Sequence, residues 1–301
     1  MTLPLQPDSG PRWPNASQAL GEVYASEWSR RAKYAWRLWL SSAGRSIVLD
    51  HLQHSRVARQ LLVSAPRCFY PVMHKYLDRR YGTRERANAM VHSMRGMERS
   101  LGPRAASDMF GDQRTVLAEL PGRTRVTLGL NELTFHEGLW AIDLRRPDGL
   151  RLFTISFGWT DAATLAIACV QGPPREIDGL QCVRELTGEA HGLRPAHLLV
   201  FMLRACAAAW NVTRLVGVDE AHQVKGRWNH KAHARHFDYE KFWLEISGTR
   251  ASDGNWDLPL SVPQRSIEDV PTKRRAMYGR RYALLEALST GCAQAIEPGF
   301  E

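Results

Sequence analysis

The sequence predicts an α+β protein, a helical N-terminal domain followed by a mixed-sheet α/β domain. Three observations carry that prediction. Apolar residues in the first third recur at helical spacing between Gly and Pro breaks. From Thr115 the apolar period changes to two. After Pro195 a long apolar-faced helix leads into a short buried-looking strand at Arg214–Asp219, the order that a parallel crossover needs.

Taken in order, residues 1–15 read as a disordered leader and 16–112 as a basic helical domain. Residues 16–41 form one predicted helix, capped by Ser17 and ended by Gly44. Shorter helices follow at Asp50–Val63, Tyr70–Arg80 and Thr83–Met97, with Thr83 as N-cap. Gly102-Pro103 breaks the pattern, placing a boundary near residues 100–112. In residues 113–301 the expected strands are Thr115–Leu120, Thr124–Leu130, Leu139–Arg145, Leu152–Trp159 and Leu165–Gln171, an antiparallel meander. Helices are expected at Ile177–Ala190, Pro195–Trp210, Ala232–Ile246 and Pro271–Leu288, and a last strand at Trp256–Leu260. Leu165–Gln171 and Arg214–Asp219 are expected to be parallel neighbours.

Net charge is +9, and all the excess lies in residues 1–100, which hold 16 Lys and Arg against 7 Asp and Glu. A basic module beside a neutral one points to an anionic partner: nucleic acid, a lipid headgroup or a phosphorylated substrate. Core packing accounts for most tryptophans, although aromatic and basic residues mixed at this density also suit base stacking or a membrane surface. No apolar run approaches the ~20 residues of a membrane span, and the first residues lack the pattern of a secretion signal. Five cysteines without Cys-x-x-Cys spacing fit a reducing, cytoplasmic setting rather than a disulfide framework or a cysteine zinc site.

Three short motifs stand at expected strand ends and helix starts, where α/β proteins place ligands. They are His136-Glu137-Gly138-Leu139-Trp140, Ala168-Cys169-Val170-Gln171-Gly172 and His191-Gly192-Leu193-Arg194-Pro195. A meander followed by helix, strand, helix and strand resembles the GNAT acyltransferase fold. By that resemblance Leu165–Gln171 is the splayed strand that admits the pantetheine arm, with Arg214–Asp219 as its partner strand. The turn at His191–Pro195 then holds the donor's phosphates, and Phe237-Asp238-Tyr239-Glu240-Lys241 is similar to a motif on the following helix. The usual Gln/Arg-x-x-Gly-x-Gly/Ala loop is missing; Gly192 and Arg194 are what remains of it. The three motifs also resemble those of the VirK/YbjX family of bacterial proteins. So do Phe242-Trp243, Asp253-Gly254, Lys273-Arg274-Arg275-Ala276-Met277-Tyr278 and Arg280-Arg281-Tyr282, over roughly residues 20–290. That family is associated with virulence and envelope stress and brings no settled reaction.

These residues define the expected site. Glu137 and His136 are the general-base candidates, with Gln171 orienting an acyl carbonyl. His191, Gly192 and Arg194 bind the donor's anionic groups, and Trp140 and Tyr239 contact the acceptor. Glu137 and His136 can share one pocket with Gln171 and His191 only if Gly138 permits a turn, because neighbours on a regular strand face opposite ways. Cys169 is expected in the core. His222, His230, His233 and His236 lie within fifteen residues, but the surrounding cations favour a solvated or phosphate-facing loop, and no metal is expected. The leading expectation is a cytoplasmic acyl- or aminoacyl-transferase acting on an amine of a small molecule, peptide or lipid precursor. Its donor is a coenzyme A thioester or an aminoacyl-tRNA, and tRNA or anionic lipid lies at the N-terminal third. The rival expectation is a non-catalytic protein whose basic face binds anionic lipid or nucleic acid.

Overall fold

Asn15, not Ser17, begins the first helix. Its side chain accepts the Gln18 N–H while its own N–H donates to Gln18 Oε1, both at 2.9 Å, a reciprocal cap. The computed structural model describes residues 10–224 and 237–296. Of the expected leader, 1–9 lie outside the described residues, but Pro14 is buried and accepts the Tyr34 hydroxyl, and Trp13 packs edge-on against Phe69.

The expected helix over 16–41 is divided into α1 (Ala16–Leu20), α2 (Glu22–Ala25) and α3 (Trp28–Leu40). Gly21 at φ 85° separates the first two, and an extended Glu27 separates the next pair. Gly44 does not end a helix. It sits inside α4 (Ser42–His54), where a Cβ would lie 2.7 Å from the Thr83 carbonyl oxygen of the crossing chain. Extended Ser55 ends α4, and α5 (Arg56–Arg59), α6 (Leu61–Ser64) and α7 (Tyr70–Met73) are single turns. The helix expected to run on to Arg80 stops at α7. Then α8 spans Thr83–Phe110, with Gly82 rather than Thr83 as its cap and Glu85 accepting the Gly82 N–H at 2.6 Å. Gly102, non-helical at φ 74°, divides α8 into two helices at the expected break, and Pro103 falls at the first turn of the second, where it needs no N–H partner.

The strands fall where alternation placed them: β1 (Thr115–Glu119), β2 (Arg125–Leu130), β3 (Trp140–Arg145), β4 (Arg151–Trp159) and β5 (Thr164–Gln171). They pair antiparallel in chain order. Then come α9 (Gly179–Glu189), α10 (Pro195–Ala209), β6 (Arg214–Gly217), α11 (Tyr239–Glu245), β7 (Thr249–Arg250), β8 (Trp256–Leu258) and α12 (Thr272–Ile296). The start of the helix expected from Ala232 lies outside the described residues, and β7 is too short for its period to show in sequence. The sheet is mixed, eight-stranded, in the order β1-β2-β3-β4-β5-β6-β8-β7. As expected, β5 and β6 are parallel, with Thr164 opposite Arg214 and Ile167 opposite Gly217, and α10 lies between them in the chain.

β3 and β4 are buried along nearly their whole length, so both faces of the sheet are covered. Helix α8 packs on β2 and β4, α10 on β3 and β4, and α12 on β1 and α10. One apolar cluster runs from Val48 and Leu52 through Met90 and Met94 to Trp140, Ile142, Leu199 and Cys292. The helical first third and the sheet therefore share a core. Ser93 of α8 is a polar joint inside it: its hydroxyl accepts the Trp159 N–H at 3.0 Å and meets the Tyr76 hydroxyl at 2.9 Å, and its carbonyl accepts Trp140 Nε1 at 2.8 Å. Among the described residues no helix is long and apolar enough to cross a membrane.

Candidate functional site

The candidate site forms where β5 outruns β6. The two strands pair as far as Ile167, whose carbonyl accepts the Val218 N–H at 2.9 Å, and β5 continues to Gln171 with β4 alone. Tyr239, in the first turn of α11, fills the vacated edge. Its hydroxyl accepts the Val170 N–H at 3.0 Å, donates to the Val170 carbonyl at 3.1 Å, and lies 3.3 Å from Cys169 Sγ. A backbone edge left without its neighbouring strand is thereby satisfied. Tyr239 is thus a buried strand partner, its hydroxyl engaged with the Val170 backbone and not with the open surface that the expected substrate role requires.

Cys169 and Gln171 are two apart on β5 and share a face. Gln171 Nε2 donates to Glu137 Oε2 at 2.6 Å. Glu137 is 4% exposed, and it reaches this point because it does not belong to β3. Phe135–Glu137 make a single 3-10 turn capped by the Thr134 hydroxyl, and Gly138 follows at φ 120°, a conformation open only to glycine. A Cβ there would lie 2.4 Å from the Phe157 carbonyl oxygen. Burial, then the Glu137 charge, pushes the Cys169 thiol far above its ordinary range, so it is a neutral core group. Burial, then Cys169, does the same to the Tyr239 phenol.

The other expected members lie elsewhere. His136 turns away from Glu137: its Nδ1 meets the Lys75 carbonyl at 2.7 Å, and its ring stands edge-on to Tyr70 and His74. It lines a separate cavity of about 310 Å³ with Arg67, Tyr70 and Glu132. Trp140 is fully buried and bonded to Ser93, so it is out of reach of the acceptor it was expected to contact. The His191–Pro195 turn is the C-terminal cap of α9. The N–H groups of His191, Gly192 and Leu193 donate to Gly188, Thr187 and Ala190 at 3.0, 2.7 and 3.1 Å. Those three donors are spent on the end of α9, so the part of the turn before Arg194 has none left for a phosphate. Arg281 of α12 clasps the same turn through the His191 carbonyl, at 2.9 and 3.0 Å. Arg194 is exposed and pairs with Glu245 at 3.2 Å.

A second buried network joins residues that the sequence showed only separately, His222 in the His-rich stretch and the turn at Asp253-Gly254-Asn255. Asn255 accepts the Asp219 N–H at 3.1 Å, meets His222 Nδ1 at 2.9 Å, and donates to Asp78 at 3.2 Å. Arg80 and Arg250 neutralise the two carboxylates, each at 2.6 Å. Burial raises the Asp78 carboxyl, but the hydrogen bonds from Arg80 outweigh it and hold the group below its usual range. Among the described residues no cluster of His, Cys, Asp and Glu has the form of a metal site, while His230, His233 and His236 lie outside them.

The chain is similar to bacterial relatives along most of its length. An uncharacterized protein of Haemophilus influenzae is 27% identical over 88% of this chain and 89% of its own. The membrane protein LapB of Mannheimia haemolytica is 30% identical over 71% of this chain and 94% of its own. The uncharacterized protein YbjX of Escherichia coli K12 is 26% identical over 80% of this chain and 75% of its own. No solved structure matches. Matched over residues 24–294 by the family described as "Protein of unknown function (DUF535)", and related to YbjX itself, the chain belongs to the VirK/YbjX family of bacterial proteins.

Proposed function

We propose that this protein is an N-acyltransferase in which Glu137 takes the proton from an acceptor amine. One observation carries the reading: a buried carboxylate, held by Gln171 at 2.6 Å, stands where two parallel strands part. A carboxylate held in place by Gln171 at a strand end is positioned to take a proton from an amine. The antiparallel meander, the crossover helix and the parting strands support a GNAT-like frame; Tyr239 occupies the vacated edge at Val170, so the donor's arm in this proposal approaches beyond it, beside Gln171.

In the step itself the amine lone pair attacks the acyl carbonyl of a coenzyme A thioester or an aminoacyl-tRNA. Glu137 accepts the amine proton, and the thiolate or the tRNA ribose oxygen leaves. Gln171 is half-buried and holds the base against the gap. With the N–H groups at His191–Leu193 spent, the donor's phosphates in this proposal fall to Arg194 and the start of α10.

The test is mass-spectrometric detection of acylated amines after incubation with coenzyme A thioesters and with charged tRNA. Product formed by the wild type and lost in Glu137→Gln supports the assignment. Product formed equally by both proteins removes Glu137 as base. No product from either donor class favours the non-catalytic reading.

A further inference from the structure

Helix α3 is attached to the protein by its polar side. Tyr34 is its one buried residue, and its hydroxyl is tied to Pro14; Arg37, one turn on, lies against the Tyr70 ring and hydroxyl. Leu38 completes that inward face. The opposite face carries Trp28, Ala32, Ala35, Trp36 and Trp39 at i, i+4, i+7, i+8 and i+11, a continuous apolar stripe at helical spacing. That stripe faces out: Trp28, Trp36 and Trp39 are 82%, 61% and 69% exposed. Leu40 beside it and Val23 of α2 are exposed as well. An ordinary surface helix turns its apolar side to the core, so this one is inverted.

Charge identifies what the stripe fits. α3 contains Arg30, Arg31, Lys33 and Arg37 and no acidic residue. Arg31 and Lys33 flank the stripe on its two sides by the 100° step of the helix. Indoles with aliphatic neighbours, bordered by cations, match the boundary between the headgroups and acyl chains of an anionic bilayer. A second copy of the chain docked stripe to stripe would bring like charges together. Stacked bases have no use for Leu40 and Val23, which offer no ring face. The net charge of +9 in residues 1–100 places the rest of the basic surface on the same third of the chain.

We infer that α2 and α3 dock this protein on an anionic membrane surface, with Trp28, Trp36 and Trp39 entering the headgroup layer and Arg31 and Lys33 on lipid phosphates. The inference is independent of the chemistry at Glu137.

Flotation of the full chain with vesicles tests it, using phosphatidylcholine alone and with about 30 mol % phosphatidylglycerol. The wild type should float with the anionic vesicles, and brominated acyl chains should quench its tryptophan emission. Trp28→Ser/Trp36→Ser/Trp39→Ser should lose at least about tenfold in partitioning, with an unchanged far-ultraviolet spectrum because these side chains hold no core. Arg31→Gln/Lys33→Gln should weaken binding to anionic vesicles only. Absence of wild-type flotation, or equal flotation of wild type and triple variant, overturns the inference. So does a stripe that proves to govern dimerisation or oligonucleotide binding instead of flotation.

Discussion

Gln171 at the end of β5 donates a 2.6 Å hydrogen bond to Glu137, a residue 34 positions earlier that lies outside any strand. The bond joins the turn before β3 to the edge that β6 abandons, and its direction requires the carboxylate, or its amide analogue, to present an oxygen to Gln171. Glu137→Gln preserves size and that acceptor while removing the proposed base. Acyl transfer should fall by about 10²-fold or more, with the thermal midpoint nearly unchanged. A mutant with full turnover would reassign the base.

Gly138→Ala should be among the most damaging single-methyl additions in the chain. It forces a side chain into φ 120° and sets a Cβ 2.4 Å from the Phe157 carbonyl oxygen, which belongs to the sheet and cannot move cheaply. We expect a loss of about 2 kcal/mol or more in urea unfolding. Because the same turn delivers Glu137, activity should fall even where the protein remains folded.

Ser93→Ala should loosen the joint between α8 and the sheet. It strips the buried Trp159 N–H and the Tyr76 hydroxyl of their shared partner. Tyr76 keeps the Leu139 N–H at 3.2 Å, but the buried Trp159 N–H loses its side-chain acceptor, at a cost of about 1–3 kcal/mol. The Trp140 bond goes to the Ser93 carbonyl and survives, so near-ultraviolet dichroism should change less than the midpoint.

Acid should weaken the fold through His51 and His74. Burial, then Arg95, lowers His51 to about 4, and burial, then Arg37 and His136, lowers His74 to about 4. Both are therefore neutral when folded at pH values where the unfolded chain, titrating near 6.5, takes up protons. The unfolded state binds more protons in that window, so stability is full above about pH 6.5 and declines as pH falls toward 4. For buried His51 the decline is on the order of 2–3 kcal/mol. His51→Gln should flatten the slope of unfolding free energy between pH 7 and 5; a slope unchanged in this variant would remove His51 from the account.

What the sequence by itself determined was whatever depends on near neighbours. Alternation and turn residues located β1 to β5 almost to the residue, and the apolar face after Pro195 located α10, hence the parallel pair. Burial of Cys169 followed from its apolar flanks. Only the tertiary structure decided which side chains meet. His136 and Glu137 are adjacent in the chain, yet the turn before Gly138 sends one to Lys75 and the other to Gln171. Trp140 and Ser93 find each other across 47 residues, which no local period encodes. The N–H groups at His191–Leu193 read as available donors in the sequence, but in the fold α9 ends on them. The exposed stripe of α3 has the same origin: its helical spacing is in the sequence, but the side that faces the core was chosen by Tyr34 and Arg37 finding Pro14 and Tyr70. Periodicity is a property of a few consecutive residues, whereas a contact belongs to two segments, and the second is named only when the chain has folded.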